Sequence, residues 1–231
     1  MKQKGYILSA EEEDFLREMM SIGSGWAATA LTQLLRTSVE TVIPRVKSGA
    51  LGACLPSAIT DPGLPVSAVK MHMLGACTGD IFFIIPAKEL AALIHQLELV
   101  SAEWLTADMK SAGAVAGSPS QTGRLSEMAA SMIVEIGNIL VGVYLRAIYD
   151  FCRLSIVHSM PVMATDMIQA LLDESLAEGN LEDSGTIMVE SAFMVGAEQI
   201  ISYLLLVPSA ESVKVLARSI TDARAACFGT E

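Results

Sequence analysis

Between Leu125 and Tyr149 the chain is almost wholly apolar, and its apolar residues recur at helical spacing. Leu125, Met128, Met132, Ile136, Ile139 and Val143 fall three or four apart. This predicts an α-helix with those residues as its core face. Ile133, Leu140, Val141 and Tyr144 add apolar surface elsewhere on the wheel, so the helix is expected to be buried almost all round. One stripe breaks the pattern. Ser131, Glu135, Asn138 and Gly142 follow at spacings of four, three and four and share one face. Burying a bare carboxylate is too costly, so that face must meet water or a partner. A helical glycine costs about 1 kcal/mol relative to alanine, so Gly142 suggests a close approach to the backbone.

The same polar stripe occurs earlier, as Asp14, Glu18, Ser21 and Gly25. Glu18 and Glu135, Ser21 and Asn138, and Gly25 and Gly142 are each 117 positions apart. Each half also holds an apolar run that ends in proline and enters an amphipathic segment, IFFIIP-AKELAALIHQL and YLLLVP-SAESVKVLARSI. Proline ends a strand and suits the first turn of a helix. The chain therefore reads as two homologous halves, about 10–100 and 125–225, joined by a flexible Gly/Ser/Pro-rich linker at 111–123.

Helices are predicted at Ala10–Arg36, Ala87–Leu99, Leu125–Tyr149 and Ser209–Arg224. An extra helix, Ala164–Leu176, precedes an acidic turn at Glu178–Asp183. Strands are predicted at Val39–Lys47, Val66–Met73, Gly79–Ile85, Leu154–Val162, Thr186–Val195 and Gln199–Val207. Short connections between successive strands favour antiparallel pairing. The expected fold class is α+β: pseudo-two-fold duplicated α-β-β-β-α units sharing an antiparallel sheet, with the two long helices packed along it.

Composition narrows the chemistry. A 52% hydrophobic content with 18% charged residues excludes a disordered chain. The apolar runs are interrupted, by Asn138 and by Ser202 for example, so no membrane insertion is expected. The N-terminal stretch reaches acidic residues before any signal-peptide core could form, and a cytoplasmic location is expected. A net charge of −11 without a Lys/Arg cluster argues against nucleic acid as a partner. Cys54, Cys77, Cys152 and Cys227, like His72, His95 and His158, stand apart in sequence, so no metal site is expected. Neither stripe contains a histidine, lysine or cysteine that could form a nucleophile–base pair. Glu135 can pair with a cation, and the Asn138 amide can hold a water by donating and accepting.

The segments SMIVEIGNILVGVYL and EDFLREMMSIGSGWAATAL resemble the two signature helices of the CheC/CheX/FliY family of chemotaxis response-regulator phosphatases. The family pattern is Asp or Ser, three residues, Glu, two residues, Asn. Ser131, Glu135 and Asn138 match it fully. Asp14 and Glu18 match in the first half, but Ser21 replaces the asparagine and Trp26 departs from the usual context. The set Asp14, Glu18, Ser21 and Gly25 is thus a degenerate first site.

The resemblance implies a single CheC-like domain over 1–231. It implies a hydrolase of two-component signalling that removes phosphate from the aspartyl-phosphate of a CheY-like response regulator. Glu135 and Asn138 would be catalytic, entering the regulator's active site, and Ser131 and Gly142 supporting. No cofactor of the chain's own is implied, since Mg²⁺ is expected in the partner regulator. The family also offers another reading, a non-catalytic chemotaxis adaptor or a docking module for a CheD-like deamidase.

Overall fold

The computed structural model describes residues 8–61, 65–96, 127–177 and 185–229. The 111–123 linker and the 178–183 acidic turn lie outside them. The elements run α1 (Ala10–Leu35), β1 (Val39–Gly49), α2 (Leu51–Cys54), α3 (Ser57–Thr60), β2 (Val66–Gly75), β3 (Gly79–Pro86), α4 (87–96) and α5 (Glu127–Cys152). They continue with β4 (Ile156–His158), β5 (Val162–Asp166), α6 (Ile168–Ala177), β6 (Thr186–Val195), β7 (Glu198–Pro208) and α7 (Ala210–Phe228). The fold is α+β, and all pairings in its seven-stranded sheet are antiparallel.

The strand order β1-β6-β7-β3-β2-β4, with β5 also on β2, interleaves the two halves. β3 and β7 pair at the centre, with Phe82 opposite Leu205 and Phe83 opposite Leu204. β1 pairs with β6, and β4 and β5 pair with β2. Each half therefore lays its first strand against the other half. Both outer parts of the sheet carry an irregularity: β1 shifts register between Val42 and Arg45, around Pro44, while β4 and β5 are separated by Ser159–Pro161. Pro44 and Pro161 are again 117 positions apart. Proline cannot donate to a ladder, so both interruptions sit on edge strands. The predicted strand Leu154–Val162 is thereby divided. Residues 164–166 extend β5, so the extra helix starts at Ile168.

Strand alternation sends side chains to two cores. Ile81, Phe83, Ile85, Leu204 and Leu206 meet α1, α5 and α7, whereas Phe82, Ile84, Tyr203 and Leu205 meet the short helices α2, α3 and α6. α1 opens with a capping box: the Ser9 N–H donates to Glu12 at 2.8 Å, and the Glu12 N–H donates to Ser9 Oγ at 3.2 Å. Thr221 on α7 donates to the same Glu12 carboxylate, tying the two helices together.

α5 has the length and composition to cross a membrane, which the interrupted apolar runs had not suggested; here its apolar face is packed within the fold. That face is not the expected one. Ile133, Ile136, Gly137, Leu140, Val141, Tyr144 and Ile148 are buried, while Met128 is 71% exposed and Met132, Ile139 and Val143 are only half-buried. The buried face lies opposite the polar stripe, and the methionine side forms a shoulder beside it.

α1 and α5 run antiparallel, Met19 touching Cys152 at 3.8 Å and Ser24 Oγ lying 2.9 Å from the Tyr144 hydroxyl. That hydroxyl also meets Ser191 Oγ at 2.6 Å, so one buried chain of hydrogen bonds joins α1, α5 and β6. Burial raises the Tyr144 pKa, keeping the phenol protonated as this network requires.

Two glycines differ sharply in what surrounds them. A Cβ at Gly137 would stand 3.0 Å from Phe83 Cδ1 and 3.2 Å from Val69, whereas at Gly25 it would meet nothing within 4 Å. Gly137→Val is expected to destabilise the protein by about 2–3 kcal/mol through overpacking. Gly25→Ala should stabilise it by about 0.5–1 kcal/mol, because it removes helical glycine from open space. Denaturant midpoints of the two variants check both signs.

Candidate functional site on the outer faces of α1 and α5

The polar stripe of α5 faces away from the sheet. Ser131 and Glu135 are exposed, and Asn138 and Gly142 are half-buried. Glu135 and Asn138 stand three residues apart on one face, so their Cβ atoms are about 5–6 Å apart. The Ser131 hydroxyl turns back to donate to the Glu127 carbonyl at 2.8 Å. That bond occupies the serine's proton within its own helix.

Among the described residues nothing requires Gly142. A Cβ there would make ordinary contact with His158 Nε2 at 3.9 Å. The glycines the helix packing does use, Gly137 against the sheet and Gly23 against Tyr144, escaped the sequence reading. Their signal was only a helical glycine on the buried side.

The first-half stripe also points outward. Asp14, Glu18 and Gly25 are exposed and Ser21 is half-buried. Its chemistry differs: Asp14 is held in an ion pair by Arg17, and Ser21 ends in a short hydroxyl.

Trp26, read from sequence as an alteration of the first site, instead reaches the second half. The Arg146 guanidinium lies over its ring, 5.1 Å from the centroid. Arg146 stands one turn beyond Gly142 and is also 3.5 Å from Asp150. Extending the stripe by four residues would have found Arg146, but its partner lies 120 positions away in sequence. An open groove of about 440 Å³ runs between α5 and β4, lined in part by Gly142, Arg146, Tyr149 and His158. The His158 Nδ1–H donates to the Ser159 carbonyl at 3.0 Å, so Nε2 is the ring nitrogen left facing Gly142.

Other reactive groups lie elsewhere. Burial pushes the thiols of Cys54 and Cys77 up to about 11 and that of Cys152 to about 12, so these three stay protonated at neutral pH. Asp80 is buried beneath the opposite core, bonded to His72 Nδ1 at 2.6 Å and 3.6 Å from Lys70 Nζ. The alternation of Lys70 and His72 along β2 was the available sequence signal for that cluster. Among the described residues no three His, Cys, Asp or Glu side chains converge as a bound metal would require.

The fold is shared with solved structures of FliY and FliM. FliY of Thermotoga maritima superposes with a TM-score of 0.66 at 19% identity, covering 94% of this chain and 100% of that one. The FliM middle domain of H. pylori gives a TM-score of 0.59 at 10% identity, over 92% of this chain and 99% of that one. In sequence, the chain is 27% identical over 211 residues to the CheY-P phosphatase CheC of Bacillus subtilis (strain 168), covering 90% of this chain and 93% of that protein. No profile of a known protein family matches. In sequence the chain is thus similar to CheC over nearly its whole length, and in fold it is similar to FliY and the FliM middle domain.

Proposed function

We propose that the protein is a CheY-P phosphatase of chemotaxis, acting in the cytoplasm on a CheY-like response regulator, and that the outer face of α5 carries the activity. The observation that supports this is the outward Glu135–Asn138 pair on a helix whose other side is buried. It is joined by sequence similarity to a protein named for that reaction.

In this reading α5 docks against the phosphorylated site of the regulator. Glu135 pairs with the regulator's active-site lysine and sets the register. Asn138 holds a water in line with the phosphorus–oxygen bond, donating with its amide N–H and accepting with its carbonyl. Attack by that water releases inorganic phosphate and restores the aspartate carboxylate. Mg²⁺, held by the regulator, neutralises charge on the phosphoryl oxygens. Positioning accounts for the acceleration, so no general base is needed from this chain. Gly142 leaves the helix surface low where the partner's backbone comes near, and Ser131 borders the pair.

The test is loss of phosphate from a phosphorylated CheY-like regulator, followed with and without the protein. Catalytic amounts are expected to shorten the regulator's phosphorylated lifetime at least tenfold. An unchanged lifetime in the presence of demonstrable binding would leave an adaptor or deamidase-docking role.

A further inference from the structure

The proposed α5 surface has a second charged end that neither the signature residues nor the comparisons assign. Its axis reads Glu135, Asn138, Gly142, Arg146, and Arg146 lies about 16 Å along the helix from Glu135 at 1.5 Å per residue. The Arg146 side chain is 71% exposed, yet it is fixed on two sides, by the Trp26 ring and by the Asp150 carboxylate. With Nε turned to Asp150 and the Trp26 ring beneath the guanidinium, the terminal nitrogens are the donors left to meet a partner. Those donors border the groove that His158 closes from β4.

We propose that Arg146 is a specificity-determining docking residue that receives an acidic side chain of the bound regulator, and that Trp26 is the positioning residue that holds it ready. A face that is negative at Glu135 and positive at Arg146 accepts a partner in one orientation only, because reversal sets like charges against each other. The first half, with Ser21 where the second has Asn138, thus supplies Trp26 to the site of the second half. This rests on the phosphatase reading for the identity of the partner.

The test measures binding and turnover separately. Binding uses a CheY-like regulator held in its activated form with beryllofluoride, and turnover uses the same regulator phosphorylated. Arg146→Glu is expected to weaken binding and raise KM about tenfold, with a smaller change in kcat. Arg146→Lys should fall between parent and Arg146→Glu, since it keeps the charge and loses the planar fork. Trp26→Leu should raise KM about two- to threefold, and Trp26→Phe should restore most of that loss by returning a ring face. The salt dependence of binding should be shallower in Arg146→Gln than in the parent.

Unchanged binding in Arg146→Glu overturns the inference while leaving the phosphatase reading intact. Binding by the parent without dephosphorylation overturns the phosphatase reading alone, and the Arg146 series is then read from binding. A parent that does not bind the activated regulator overturns both. Arg146 is exposed, so its variants keep the test decisive even if Trp26→Leu fails to fold.

Discussion

Asn138→Ala is expected to remove about a hundredfold of the phosphatase acceleration while leaving the fold intact. The size follows from the proposed role of the amide, holding one water in line with the scissile bond, because loss of alignment of that order costs about a hundredfold in rate. Alanine cannot hold the water, and no neighbouring group takes over. Ser131 has its proton committed to the Glu127 carbonyl, and Gly142 has no side chain. The substitution should not lower stability, because Asn138 is only half-buried and alanine is the better helix former. Phosphate-loss kinetics beside a thermal melt check both statements. A melt that holds while the rate is also unchanged would remove Asn138 from the mechanism.

The second large effect is an asymmetry between the halves. Glu135→Lys should raise KM for the phosphorylated regulator by tenfold or more, since it sets a positive charge against the partner's lysine. Glu18→Lys should change the rate by less than about twofold. Both glutamates are exposed on the outer faces of their helices, so exposure does not separate them. What separates them is the residue three positions on. Ser21 reaches one atom beyond Cβ with a single hydroxyl, whereas Asn138 reaches further and offers donor and acceptor together. Ser21→Asn is the complementary variant. With Trp26 engaged by Arg146, any gain at the first site should stay below the activity of the second. Equal losses in Glu18→Lys and Glu135→Lys, measured side by side, would show that both faces act.

Much of the secondary structure follows from local chemistry. The expected bounds of α1, Ala10–Arg36, and of β3 and β7, set by the prolines that end them, agree with the structure to within a residue. The burial of α5 was less legible. Met128 and Met132 have the spacing of a core stripe, but they flank the polar stripe instead of opposing it. The true core face is centred on Ile133, Leu140 and Tyr144 because α5 lies against β2, β3 and α1. An almost wholly apolar helix has no strong contrast on its wheel, so only its neighbours decide which side goes in.

The sequence by itself determined the two long helices, the α+β class and the polar stripe that must leave the core. Each depends on side-chain type at fixed spacing or on the backbone limits of proline, and such effects act over a few residues. The tertiary structure alone decided that β1 lies on β6 and β4 and β5 on β2, interleaving the halves. It also decided that Arg146 lies over the Trp26 ring across 120 positions of chain. Those arrangements come from closing one sheet around a shared core, where the free energy lies in contacts between distant residues. No local pattern encodes such a choice, since β1 has the same alternation whichever strand it joins.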